Sequence, residues 1–168
     1  MCVAIYIASD HPLPTVPWDD AQPAFHVQDA TEGYFSPGNP LRAHFAQPYL
    51  YAAGSHDGCG CGFPFSDAYN DEGELVEDDW PPGRESRRRL AEFLSAALRL
   101  QPAVEILVCC SGDERFPPRT RRRVRPIDFT RDRTIFDLGQ LLVVSEQDAE
   151  PSHGLGSPGR NCPPEGSP

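Results

Sequence analysis

Apolar residues in this chain gather in short continuous runs separated by proline, glycine and charge. Residues 3–9 (Val-Ala-Ile-Tyr-Ile-Ala-Ser) stop at Asp10-His11-Pro12 and predict a mostly buried strand. Tyr49–Ala53 and Val104–Cys110 have the same character, and Phe25–Gln28 is a shorter candidate. Val124–Phe129 and Gln140–Ser145 predict two further strands, expected to be antiparallel neighbours. Only one stretch changes period. From Arg84 or Glu85 to Leu100, the residues Leu90, Phe93, Leu94, Ala97, Leu98 and Leu100 recur at three- and four-residue steps. That spacing predicts an amphipathic helix with Arg87, Arg88, Glu92 and Arg99 largely outside its apolar stripe. Gln101-Pro102 ends it, because proline disfavours helical geometry in the residue before it.

The resulting fold class is α+β, or α/β-like: a small mixed β-sheet with one main helix in a βαβ crossover and Pro/Gly-rich loops. Residues 11–23 carry four prolines and should run extended over a sheet edge, since proline cannot pair centrally. Residues 66–83 form an acidic loop ending in Trp80-Pro81-Pro82-Gly83. Beyond Gln147 the chain is Pro, Gly, Ser and charge without apolar periodicity. The expected division is one globular domain over 1–147 and a disordered tail over 148–168.

The βαβ unit also says where chemistry would sit. If strands 49–53 and 104–110 share a sheet, the intervening helix makes them parallel and brings their carboxyl ends to one edge. Ligand sites in open α/β sheets favour that edge. Here it carries the loop 54–63, with four glycines in Gly54–Gly62 and the run His56-Asp57-Gly58-Cys59-Gly60-Cys61. Cys109, Cys110 and Asp113 end the other strand. Strand alternation points Cys109 and Cys110 to opposite faces, so at most one should meet the loop squarely.

Thiolates are soft ligands suited to zinc or copper(I), and His56 adds an imidazole. The candidate site is therefore a metal centre, with zinc expected, drawn from His56, Cys59, Cys61, Cys109 and Cys110. One residue between the paired cysteines is too few for a common zinc-knuckle turn. Two alternatives stay open. Cys59 and Cys61 are close enough in sequence for thiol–disulfide exchange, with Cys109 or Cys110 as a resolving thiol. The loop is also readable as a glycine turn carrying small buried side chains, in an interaction module without chemistry.

Composition and charge narrow the partners. The formal net charge of −10 argues against a generic nucleic-acid binder. All the positive side chains besides histidine are arginines, and Arg119 and Arg121–Arg123 fit internal ion pairs or an acidic protein partner better than a nucleic acid. No apolar run approaches the roughly 20 residues of a membrane span, and no export signal is legible at the N-terminus. A cytoplasmic, reducing setting is expected, with cysteines as thiols or metal ligands. No P-loop, G-x-S-x-G or H-E-x-x-H motif occurs.

Met1-Cys2 resembles, over those two residues, the start of class II glutamine amidotransferases. That likeness implies an N-terminal cysteine nucleophile using its own amine as base. Val3-Ala4 stands where that family continues with Gly-Ile. Substrate and reaction are not legible.

Overall fold

The computed structural model describes residues 2–30, 40–65, 68–69, 75–76 and 80–146. The tail expected from residue 148 lies outside the described residues. Six strands form one mixed sheet: β1 (Val3–Ser9), β2 (Phe25–Asp29), β3 (Tyr49–Ser55), β6 (Val104–Cys110), β7 (Thr120–Val124) and β8 (Gln140–Val144), in the order β2-β3-β1-β6-β8-β7. A two-stranded antiparallel ribbon, β4 (Ala68–Tyr69) and β5 (Leu75–Val76), lies within the segment expected to be an acidic loop. With one principal helix, α1 (Pro81–Ala97), the architecture is a small α+β fold.

The expected crossover is present, with one insertion. β3 and β6 are each antiparallel to β1, so they run parallel to one another with β1 between them. The first strand of the chain is thus central, and its beginning lies at the edge where β3 and β6 end. Val3 is paired with Cys110, which places residue 2 next to both strand ends.

Alternation sorts the side chains onto two faces. Ile5, Ile7, Tyr51, Ala53, Val104, Ile106 and Val108 form a core with Leu90, Leu94 and Ala97 of α1. Each fully buried leucine there contributes about 1.5–3 kcal/mol. The opposite face carries Tyr6, Ala8, Leu50, Leu107, Cys109 and Leu141, covered by Leu41 of a short 3₁₀ segment, Pro40–His44, and by Phe45 just after it. At the sheet's end, Val16 bridges Val27 through two backbone hydrogen bonds, so part of the proline-rich stretch covers β2 as expected.

The helix begins earlier than its periodicity suggests. Pro81 and Pro82 occupy its first turn, where a missing N–H costs nothing. It ends at Ala97, leaving Leu98 half-buried and Leu100 exposed outside the stripe. Phe93 is only partly buried and packs from the side. Arg87, expected outside the stripe, is buried. Its Nη1 donates to the Phe63 carbonyl at 3.2 Å, and its guanidinium lies 3.9 Å above the Phe65 ring.

The strand expected over 124–129 is displaced toward the N-terminus. Pro126 starts a 3₁₀ turn, Pro126–Thr130, fastened by the Arg125 amide donating to Asp128 Oδ2 at 2.7 Å. β7 therefore precedes it and pairs with β8 in parallel, where antiparallel neighbours were expected. Two of its arginines form ion pairs within the chain, Arg121 with Glu105 and Arg122 with Asp132.

Candidate metal centre

The loop after β3 is built around Ser55. This wholly buried hydroxyl donates to the Cys59 carbonyl at 2.7 Å and accepts from the amides of Gly62 at 3.0 Å and Asp57 at 3.3 Å. The Ser55 amide donates to the same Cys59 carbonyl at 2.7 Å, and the Gly58 amide closes a turn onto the Ser55 carbonyl at 3.0 Å. Gly58 has φ +75°, a left-handed conformation that glycine adopts without strain. At the far end Phe63 is wholly buried, stacked on Phe136 at 5.7 Å. Both ends of the cysteine pair are thus fastened to the core.

Gly60 brings that loop against β1. A β-carbon there would lie 2.7 Å from the Val3 carbonyl oxygen, so only glycine permits the approach. The consequence is contact between loop and strand. The Val3 amide donates to Cys61 Sγ at 3.2 Å, and the Cys61 amide donates to Cys59 Sγ at 3.3 Å. The thiols of Cys2, Cys59 and Cys61 all lie within 4.8 Å of one another. A tetrahedral zinc ion with Zn–S bonds of about 2.3 Å would set its sulfurs roughly 3.8 Å apart, so small side-chain adjustments suffice. Cys2 is exposed, while Cys59 and Cys61 are half-buried.

The electrostatics of the cluster match this crowding. Burial is the largest cause pushing the Cys59 thiol up to about 12, with the neighbouring Cys61 and Cys2 thiols adding to it. Three thiolates at this separation repel one another, and a bound cation reverses that balance.

The other residues expected at the site lie elsewhere. His56 belongs to the loop but is outside the group of three thiols. Its Nδ1 meets Ser86 Oγ at 3.1 Å and its Nε2 meets Asp57 Oδ1 at 3.2 Å. Asp57 is therefore its carboxylate partner. Ser86, His56 and Asp57 form a hydrogen-bonded chain of the kind that activates a serine nucleophile. Here Ser86 is wholly buried and its hydroxyl is bonded to the Ala24 carbonyl at 2.5 Å, so the chain fastens the loop to α1.

Cys109 is on the sheet face away from α1, packed with Tyr6, Leu107 and Leu141. Burial, with Glu114 and Asp113 nearby, pushes its thiol up to about 12. Cys110, whose parity matches the α1 face, is separated from β3 by the whole width of β1. Cys2, Cys59, Cys61 and Cys109 are free thiols.

Cys2 is the member that pattern reading assigned to other chemistry. Its signal lay in topology: an N-terminal strand placed between β3 and β6 necessarily starts beside the glycine loop.

No protein-family model, curated protein or solved structure matches this chain. Among the described residues, no helix is long and apolar enough to cross a membrane.

Proposed function

We propose that this protein binds zinc through the thiolates of Cys2, Cys59 and Cys61. The observation that carries the reading is the convergence of three free thiols, from two separate chain segments, within 4.8 Å of one another. Soft sulfur donors favour zinc or copper(I) over hard cations, and a tetrahedral ion accepts this spacing. Two further features support it. The loop is held by part-buried hydrogen bonds of the Ser55 hydroxyl, so little ordering remains for the metal to impose. Backbone amides already point at two of the three sulfurs, as expected of groups that stabilise thiolate charge.

His56 then acts as a positioning residue, tying the loop to α1 through Ser86. A thiol-exchange role is less well supported, because burial raises the Cys59 and Cys109 thiols where such chemistry needs them lowered. A reducing compartment suits the proposal, since it keeps the three thiols available.

Elemental analysis of the full chain, purified without chelators, tests the reading. About one zinc per chain is expected, falling to near zero in Cys59→Ser and Cys61→Ser while Cys109→Ser keeps its metal. Equal metal content in all four proteins, or none in the parent, would reject it.

A further inference from the structure

Resting on the zinc reading, the arrangement points to a second property of the same centre. We propose that its fourth coordination position is open and takes a thiol from solution as an exogenous ligand. A tetrahedral ion held by three thiolates needs one more donor. Among the described residues no fourth His, Cys, Asp or Glu donor joins the group of three.

The nearby donors are engaged elsewhere for identifiable reasons. His56 spends both ring nitrogens on Ser86 and Asp57. Cys109 lies on the opposite face of the sheet, and Cys110 is separated from the loop's strand by the width of β1. Glu114 accepts from the Tyr6 hydroxyl at 2.8 Å and the Gly112 amide at 2.9 Å.

The exposure of Cys2 fixes where the open position faces. Cys59 and Cys61 are half-buried against β1, whereas Cys2 is exposed, so its side of the cluster meets solvent. Sites with three protein ligands and one open position are the kind that admit water or substrate. Three sulfurs make the ion a soft acceptor, which favours a sulfur ligand over a harder oxygen. The exchange balances simply. A bound water leaves as the thiol sulfur bonds to the metal, and the thiol proton passes to solvent. Coordination then holds that sulfur as a thiolate at neutral pH.

The test uses the full chain loaded with cobalt(II), a spectroscopic substitute for zinc, titrated with 2-mercaptoethanol. Each cobalt–thiolate bond adds near-ultraviolet charge-transfer absorption. The expected result is a saturable increase of about one third, the ratio of a fourth thiolate to three already bound. The visible bands should remain those of a tetrahedral ion. A spectrum unmoved by thiol would overturn the proposal, showing a fourth ligand supplied by the chain itself. Bleaching with release of cobalt would also overturn it, because the thiol would then be extracting the metal. Failure to take up cobalt at all would reject the zinc reading beneath it, a separate and recognisable outcome.

Discussion

The chain has two closely spaced pairs of cysteines, and the fold treats them in opposite ways. Cys59 and Cys61 follow β3 in a loop whose intervening glycine lies flat against β1. Cys109 and Cys110 end β6, where the pleat sends consecutive side chains to opposite faces. The loop pair gathers its sulfurs and recruits a third from Cys2. The strand pair is divided, Cys109 sealed into the apolar layer away from α1 and Cys110 on the face toward it. Proximity in sequence is therefore a poor guide to shared chemistry. The backbone conformation between two cysteines decides whether they can act on one ion.

The sharpest way to break this contrast is to remove the support of the loop pair. Ser55→Ala leaves the amides of Asp57 and Gly62 without their side-chain acceptor, at about 0.5–1.5 kcal/mol each. The variant should unfold at clearly lower denaturant concentration. Its zinc affinity should fall about 10–100-fold, as for other residues that orient metal ligands. Competition with a chromophoric chelator measures the second effect. Unchanged affinity would mean that the loop holds its shape without Ser55.

At the strand pair the same kind of change should separate stability from metal. Cys109→Ser places a hydroxyl in the apolar layer formed by Tyr6, Leu107 and Leu141, at a cost of about 1–3 kcal/mol. Metal content should not move. Chemical denaturation with parallel elemental analysis reads both, and zinc loss in this variant would place Cys109 at the centre after all.

The smallest expected effect concerns pH. His26 alternates with Phe25 and Val27, so it lies on the same outer face as Cys109. A β-carbon on Gly54 would collide with its ring at 1.9 Å, and burial lowers its pKa below the ordinary 6.5. The unfolded chain then binds the proton more readily than the folded one. Stability should be unaffected above about pH 6.5 and should decline as the pH falls below that value toward the folded-state pKa. His26→Leu should flatten that part of the stability profile. An unchanged acid slope would assign the loss to other groups.

Much of this was legible in the sequence because the signals are local. Continuous apolar runs gave β1, β3 and β6, and three- and four-residue spacing gave α1 with Leu90 and Leu94 in its core. Alternation alone foretold that Cys109 and Cys110 would part. What could not be read was the order of strands, because pairing is decided by the whole sheet. β3 and β6 do run parallel with their ends on one edge, but β1 stands between them. That insertion brings Cys2 to the loop and keeps Cys110 from it. Arg87 eluded periodicity for a different reason. Its burial depends on the Phe63 carbonyl and the Phe65 ring, and no spacing rule encodes those partners.

The central claim is a soft metal held by three sulfurs from Cys2, Cys59 and Cys61. X-ray absorption at the zinc edge, on the full chain loaded with one equivalent and kept free of added thiol, tests it most directly. The account predicts a first shell of three sulfurs at about 2.3 Å with one lighter atom at about 2.0–2.1 Å, and one sulfur fewer in Cys2→Ser. A shell of nitrogen and oxygen alone, or a sulfur count that Cys2→Ser leaves unchanged, would contradict it.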